Sequence, residues 1–271
     1  MKRLMNQHPG TQLKVILGML PFVLILIVYM MASNARLAEN PNDKLLPSFN
    51  KMGDAIDKLA LQPSKRSGEF LFWDDTASSL TRLGLGVGIS ALIGLAFGIF
   101  NGVIPYARAN LSPIITFISL IPPLAVLPIL FIVFGLGELS KVVLIAFGIT
   151  PFLMRDLQGK VLELPDEQLI KAQTLGASTW LVILRIVLPQ ILPRLLGSLR
   201  LSLGAAWLFL IAAEAIASTD GLGYRIFLVR RYLAMDIILP YVLWITFLAF
   251  STDYLLKIIS ERFFPWFHSA K

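Results

Sequence analysis

The chain has 271 residues, of which 56% are hydrophobic and only 15% charged, with a formal net charge of +7 and a mean hydropathy of +0.74. Soluble domains carry about a quarter charged residues, so this composition excludes an ordinary soluble domain and places most of the chain in a bilayer, whose anionic surface accounts for the positive balance better than nucleic acid does. With no cysteine, disulfides, thiolate zinc sites and cysteine nucleophiles are excluded as well.

A helix needs roughly 20 mostly apolar residues to cross the hydrocarbon core. Six stretches meet or approach that length, at 13–33, 83–104, 114–134, 139–154, 195–217 and 237–259. They predict an all-α polytopic membrane protein with six transmembrane helices. The first stretch follows a tail over 1–12 bearing Lys2 and Arg3, but it is long and lacks a small-x-small cleavage site, so it reads as a retained span. A loop at 34–82 comes next, with Pro41, Pro47 and Pro63. Within it Phe49, Met52, Ile56, Leu59 and Ala60 line one face of an amphipathic helix capped by Ser48. That helix lies on the membrane surface or packs against the bundle.

The core at 83–259 holds the other five spans. Its first carries Gly84, Gly86, Gly88, Gly94, Gly98 and Gly102, a spacing that lets a neighbouring helix approach closely. The next contains Pro122, Pro123 and Pro128. Such irregular backbone is tolerated at membrane depth only inside protein or beside a cavity, so Pro122 and Pro123 are predicted to lie in a kinked helix that lines a pathway through the protein. With both termini in the cytoplasm, the internal segments hold slightly more Lys and Arg than the external ones. The external basic residues fall mainly in the long 34–82 loop, which informs topology less than short loops do. The loop at 155–194 and the tail at 260–271 are then cytoplasmic.

Inside that loop lies a polar island. Asp166 is placed to cap a short helix ending near Leu175, with Glu167 in its first turn. Gly176 supplies a left-handed elbow, Ser178 a second cap, and Trp180, Leu181, Leu184, Val187 and Leu188 an apolar stripe that Pro189 stops or kinks. A DNA-reading helix-turn-helix would present polar side chains to base edges, and this second helix is apolar.

Three ionisable residues fall within spans: Arg200, Glu214 and Asp253. Charges there face protein, water or a partner. Arg200, near the cytoplasmic start of its helix, reads as snorkelling to the interface, and Asp253 as satisfied within Ser251-Thr252-Asp253-Tyr254. Glu214 lies about 21 Å further along the same helix, too far to pair with Arg200. It is the pathway or gate candidate, with Trp207 on nearly the same face; a structural, hydrogen-bonded role for either stays open. His8 and His268 sit in the terminal tails, where they read as solvated rather than metal-binding. The chain has no G-x-x-x-x-G-K-[ST] phosphate loop and no nucleophile-base or carboxylate pair at useful spacing, so it is not expected to be an enzyme. An ion-coupled secondary transporter or channel, with the buried charges carrying the coupling, is the alternative.

Ala172-x3-Gly176, nine residues, then Ile186-x-Leu188-Pro189 resembles the EAA loop of permease subunits of ATP-binding-cassette importers, with Ile170 and Lys171 replacing the usual Glu and first Ala. Ser78-Ser79-Leu80-Thr81-Arg82, the 121–128 segment, Gly135-Leu136-Gly137-Glu138, Ala212-Ala213-Glu214 and Gly221-Leu222-Gly223-Tyr224 are similar to the nitrate, sulfonate and taurine branch. The 35–44 and 225–232 segments look like a subgroup associated with urea or guanidine carboxylases. The resemblance implies a type I importer permease fold in a bacterial inner membrane, carrying a small polar solute. It further implies a coupling helix in which Ala172, Gly176, Ala177, Ser178, Leu188 and Pro189 meet an ATPase subunit. The implied partners are two such ATPases holding ATP and Mg, a periplasmic or lipid-anchored solute-binding protein, a second permease chain in a homodimer, and membrane lipid; no nucleic acid and no cofactor in this chain are implied.

Overall fold

Backbone amides inside a bilayer find no water to bond, which leaves apolar sequence little choice but to be helical. The computed structural model describes residues 10–41, 43–64 and 68–269, and among them there is no strand. Lys2, Arg3 and His8 lie outside the described residues, as does most of the expected 1–12 tail. Five helices are long and apolar enough to span, or six spans if one sharply bent helix pair is counted as one, in keeping with the six expected.

Helix α1, Thr11–Glu39, buries almost none of its apolar surface. It touches the rest near its C-terminal end, where Tyr29 Oη donates to Pro47 O at 2.6 Å and Ser33 Oγ to Leu46 O at 3.0 Å. Helix α2, Phe49–Ala60, starts where expected, with Ser48 Oγ accepting from Lys51 N. Met52, Ala55 and Ala60 are buried, and α2 rests on the bundle rather than lying free on a membrane surface.

Helix α3, Leu71–Val103, begins 12 residues before the predicted span at 83. Those residues include Asp74, Asp75, Ser78, Ser79 and Arg82 and look like loop in the sequence; they are helical because bundle partners satisfy most of them. Against α3 lies α6, Glu138–Leu162, with Leu144, Ile145, Leu153 and Leu157 wholly enclosed. A Cβ added at Gly86, Gly94 or Gly98 would stand 2.7 Å from the Cβ of Ile145, Leu153 or Leu157, and one at Gly102 would stand 2.4 Å from Val161. Together with Ser90, these glycines form a groove every fourth residue that admits α6. Gly84 and Gly88 face open space.

Between α3 and α6 the chain forms α4, Pro105–Ser119, and α5, Pro123–Phe134, bent by 93°. The expected kink over 114–134 is thus a full break. Pro123 sits in the first turn of α5, where a missing amide removes no helical bond.

Helix α7 is Asp166–Thr174. Its N-cap is Pro165, with no side-chain cap, so Asp166 adds only favourable charge to the first turn. After the elbow come α8, Thr179–Val182, a π-helical turn at Ile183–Val187, and α9, Leu188–Ala217. Pro189 therefore does not end the second helix. It falls in the first turn of α9, and the widened π turn before it absorbs the lost hydrogen bond and the ring's clash with the preceding turn. Helices α10, Leu222–Arg230, α11, Met235–Phe263, and α12, Pro265–Ser269, complete the chain. His268 is not a free tail residue: its Nε2 lies 3.0 Å from Ser260 Oγ.

Candidate functional site

At the end of the bundle away from α7, the segments marked out in the sequence as separate motifs converge. Ser79 and Arg82 come from α3, Glu138 from the start of α6, Glu214 from α9, and Asp220 and Gly221 from the α9–α10 turn. Arg82 Nη1 donates to Glu214 Oε1 at 2.8 Å, while Nη2 donates to Glu138 Oε1 at 2.8 Å and to Asp220 Oδ1 at 2.6 Å. Glu214 also accepts from Ser79 Oγ at 2.8 Å and from Gly223 N at 2.9 Å. Lys141 Nζ joins Glu138 to Ser218. One layer away, Asp75 accepts from Gly221 N, Arg225 Nε and Tyr241 Oη. Gly221 has φ +109, and a Cβ there would come within 2.5 Å of Glu214 Oε1, so only glycine closes the turn over the carboxylate.

Glu214 is 0% exposed and Trp207 5%. Both pathway candidates lie in the packed interior of the single chain, and Trp207 Nε1 has no partner there. Asp220, in the turn outside the spans, is pushed up by burial, but hydrogen bonds from Arg82 and Ser78 and the Arg82 charge outweigh this and hold its carboxyl below the usual aspartate range.

The other two intramembrane charges pair with each other. Arg200 Nε and Nη2 donate to Asp253 Oδ1 and Oδ2, both at 2.8 Å, joining α9 to α11. Arg200 is therefore not snorkelling, and Asp253 is not satisfied by its own helix. The pair is 53 residues apart in sequence, and no local signal announces it.

The predicted elbow is present. Gly176 has φ +80, Ala177 N donates to Ala172 O at 3.0 Å, and Ser178 Oγ accepts from Leu181 N at 3.3 Å. Ala172, Ala177 and Leu188 pack against the adjoining core, whereas Gly176, Ser178 and Pro189 are exposed. Helix α7 buries none of its residues. Around the elbow Leu175 is 88% exposed and Trp180 67%, with Ile170 and Leu181 also outward.

Beside the α4–α5 break is a cavity of about 560 Å³, lined by Ser119, Ile121, Pro123, Phe147, Phe152, Arg155, Asp156 and Phe209 among others. Pro123 thus borders a space, while Pro122 caps α5 next to it. Among the described residues no group of His, Asp or Glu is arranged to hold a metal ion.

Residues 90–265 match the family model described as the binding-protein-dependent transport system inner membrane component. The chain is 40% identical over 195 residues to the taurine transport system permease protein TauC of Escherichia coli K12, covering 72% of this chain and 70% of that one. It is 30% identical over 193 residues to the putative aliphatic sulfonates transport permease protein SsuC of Bacillus subtilis 168, covering 70% and 69%. Among solved structures, a bacterial ATP-binding-cassette transporter that imports alginate aligns with a TM-score of 0.64 at 15% identity, over 93% of this chain and 97% of that one. The chain belongs to the family of binding-protein-dependent transport system inner membrane components, in its nitrate, sulfonate and taurine branch.

Proposed function

We propose that this permease forms the pathway for a small polar solute of the nitrate, sulfonate or taurine type, and that ATPase subunits drive it through the α7–Gly176–α8 elbow. The observation carrying this reading is the exposed apolar lip of Leu175, Trp180 and Leu181, mounted on a segment whose inner face is anchored by Ala172, Ala177 and Leu188. Contiguous exposed apolar surface marks a partner, and rigid anchoring lets a push on the lip reach α9 directly. In this reading ATP and Mg bind in the partner ATPase, a solute-binding protein delivers the cargo, a second permease chain completes the pathway, and both termini face the cytoplasm.

An ion-coupled carrier is less well supported, because Arg200, Asp253 and Glu214 are each held by a partner charge. A urea or guanidine cargo fits less well too, since Glu214, the acid that would attract a guanidinium, has its oxygens engaged inside the protein.

Gly176→Val tests the coupling. Nothing lies within 4 Å of the added Cβ, so any effect comes from the positive φ, which costs a β-branched residue about 1–2 kcal/mol or more. The variant is expected to insert normally and to lose most of its co-purification with the ATPase. Unchanged assembly and unchanged transport-coupled ATP hydrolysis would sink the idea.

A further inference from the structure

Arg155 points the wrong way for an interfacial arginine. It lies seven residues before the end of α6 at Leu162, on the side leading to α7, where a cation seeking water would turn toward that end. Helical side chains lean toward the N-terminus of their helix, and Arg155 does so: its Nη1 donates to Ser119 Oγ at 2.9 Å, at the last residue of α4 before the break. The depth of that contact follows from the register of α4 against α6. Ser112 bonds Gln158, and Ser119, two turns further along α4, shares the cavity wall with Phe147 and Pro151. The guanidinium is thus drawn toward the middle of α6, beside the cavity that Pro123 borders at the α4–α5 break.

Among the described residues no carboxylate pairs with it. Asp156, the only carboxylate among the described lining residues, bonds Lys160 Nζ at 2.6 Å and accepts from Ser198 Oγ. Ser119 Oγ donates to Thr116 O, so toward the arginine it acts only as a neutral hydrogen-bond acceptor and adds no negative charge. Arg155 and its contact with Ser119 are exposed, so the guanidinium stays open to the cavity and attracts anions there, and an arginine fork suits a group with several oxygens in one plane or face. Phe147, Phe152 and Phe209 supply apolar walls for the remainder of a small molecule.

We infer that Arg155, positioned by Ser119 at the α4–α5 break, is the subsite in the translocation pathway for the anionic group of the solute, a sulfonate or similar oxyanion. This rests on the importer reading above and narrows its cargo to anions. The same subsite would repel guanidinium.

The test uses the assembled importer in liposomes, with taurine and ethanesulfonate as probes. Arg155→Gln is expected to slow ATP-driven uptake of both about tenfold or more, the effect of losing a charged hydrogen bond, while Arg155→Lys stays closer to wild type and both variants still co-purify with the ATPase subunit. Uptake by R155Q within roughly twofold of wild type overturns the inference. So does a deficit seen only when phosphatidylglycerol is added to phosphatidylcholine vesicles, because the arginine then serves lipid phosphate. Wild-type uptake of guanidine with neither sulfonate also overturns it. Failure of the wild-type chain to assemble with any ATPase overturns the importer reading instead. In that event sulfonate binding to the purified permease decides the subsite: it is expected in wild type and lost in R155Q, and equal binding by both contradicts it.

Discussion

Replacing Glu214 by glutamine separates two roles that its position in the sequence leaves open. The carboxylate is fully buried and answers Arg82, and breaking a buried ion pair from one side costs about 3–5 kcal/mol. The expectation is a large drop in the melting temperature of the detergent-solubilised permease, with the affinity for solute unchanged in the molecules that remain folded. A normal melt combined with lost uptake would return Glu214 to the pathway. Glu138→Gln should cost less, since Glu138 is 64% exposed on its side chain and leaves Arg82 two other carboxylates. Asp220 adds a pH dependence. Its folded value is depressed, so its contribution is present above the ordinary aspartate range and fades as pH falls through the lower folded value. Melting of the wild type should therefore weaken below about pH 4, and Asp220→Asn should remove part of that acid sensitivity; an identical acid profile would contradict the assignment.

At the scale of elements, α3 offers a paired experiment. Gly98→Ala drives a methyl to 2.7 Å from Leu157 Cβ, whereas Gly88→Ala meets nothing within 4 Å. The first is expected to destabilise by about 1–3 kcal/mol through overpacking. The second should be neutral or gain up to about 1 kcal/mol of helix propensity. Equal melting temperatures would show that α3 and α6 are not packed as described. The glycine spacing announced a close helix contact in the sequence, but not which glycines make it, because Gly84 and Gly88 look the same as Gly94 and Gly98 until α6 is in place. Ser48, Gly176 and Ser178 were legible because a cap or elbow acts over three or four residues. Arg200–Asp253 and the start of α3 at Leu71 were not, because each is decided by partners far away in the chain. Likewise the Pro122-Pro123 pair signalled irregular backbone, while the 93° turn depends on how α5 packs on α6 and α9.

For the whole molecule, the two ends of the bundle carry different equipment. Arg82 and its carboxylates tie α3, α6, α9 and the α10 turn into one block, and the elbow at the other end feeds into α9 through the π turn without a break. A displacement of the elbow has a stiff route to the Glu214 cluster, about 39 Å along α9 from Leu188. We propose that the exposed lip around Gly176 is the surface an ATPase engages. Because the chain has no cysteine, single cysteines report contacts without background, and Leu175 is 88% exposed. Leu175→Cys in the assembled importer should form a crosslink to the ATPase subunit, while Leu120→Cys at the α4–α5 break should not. A crosslink from Leu175→Cys to the solute-binding protein, or none to an ATPase that co-purifies with the chain, would contradict the account.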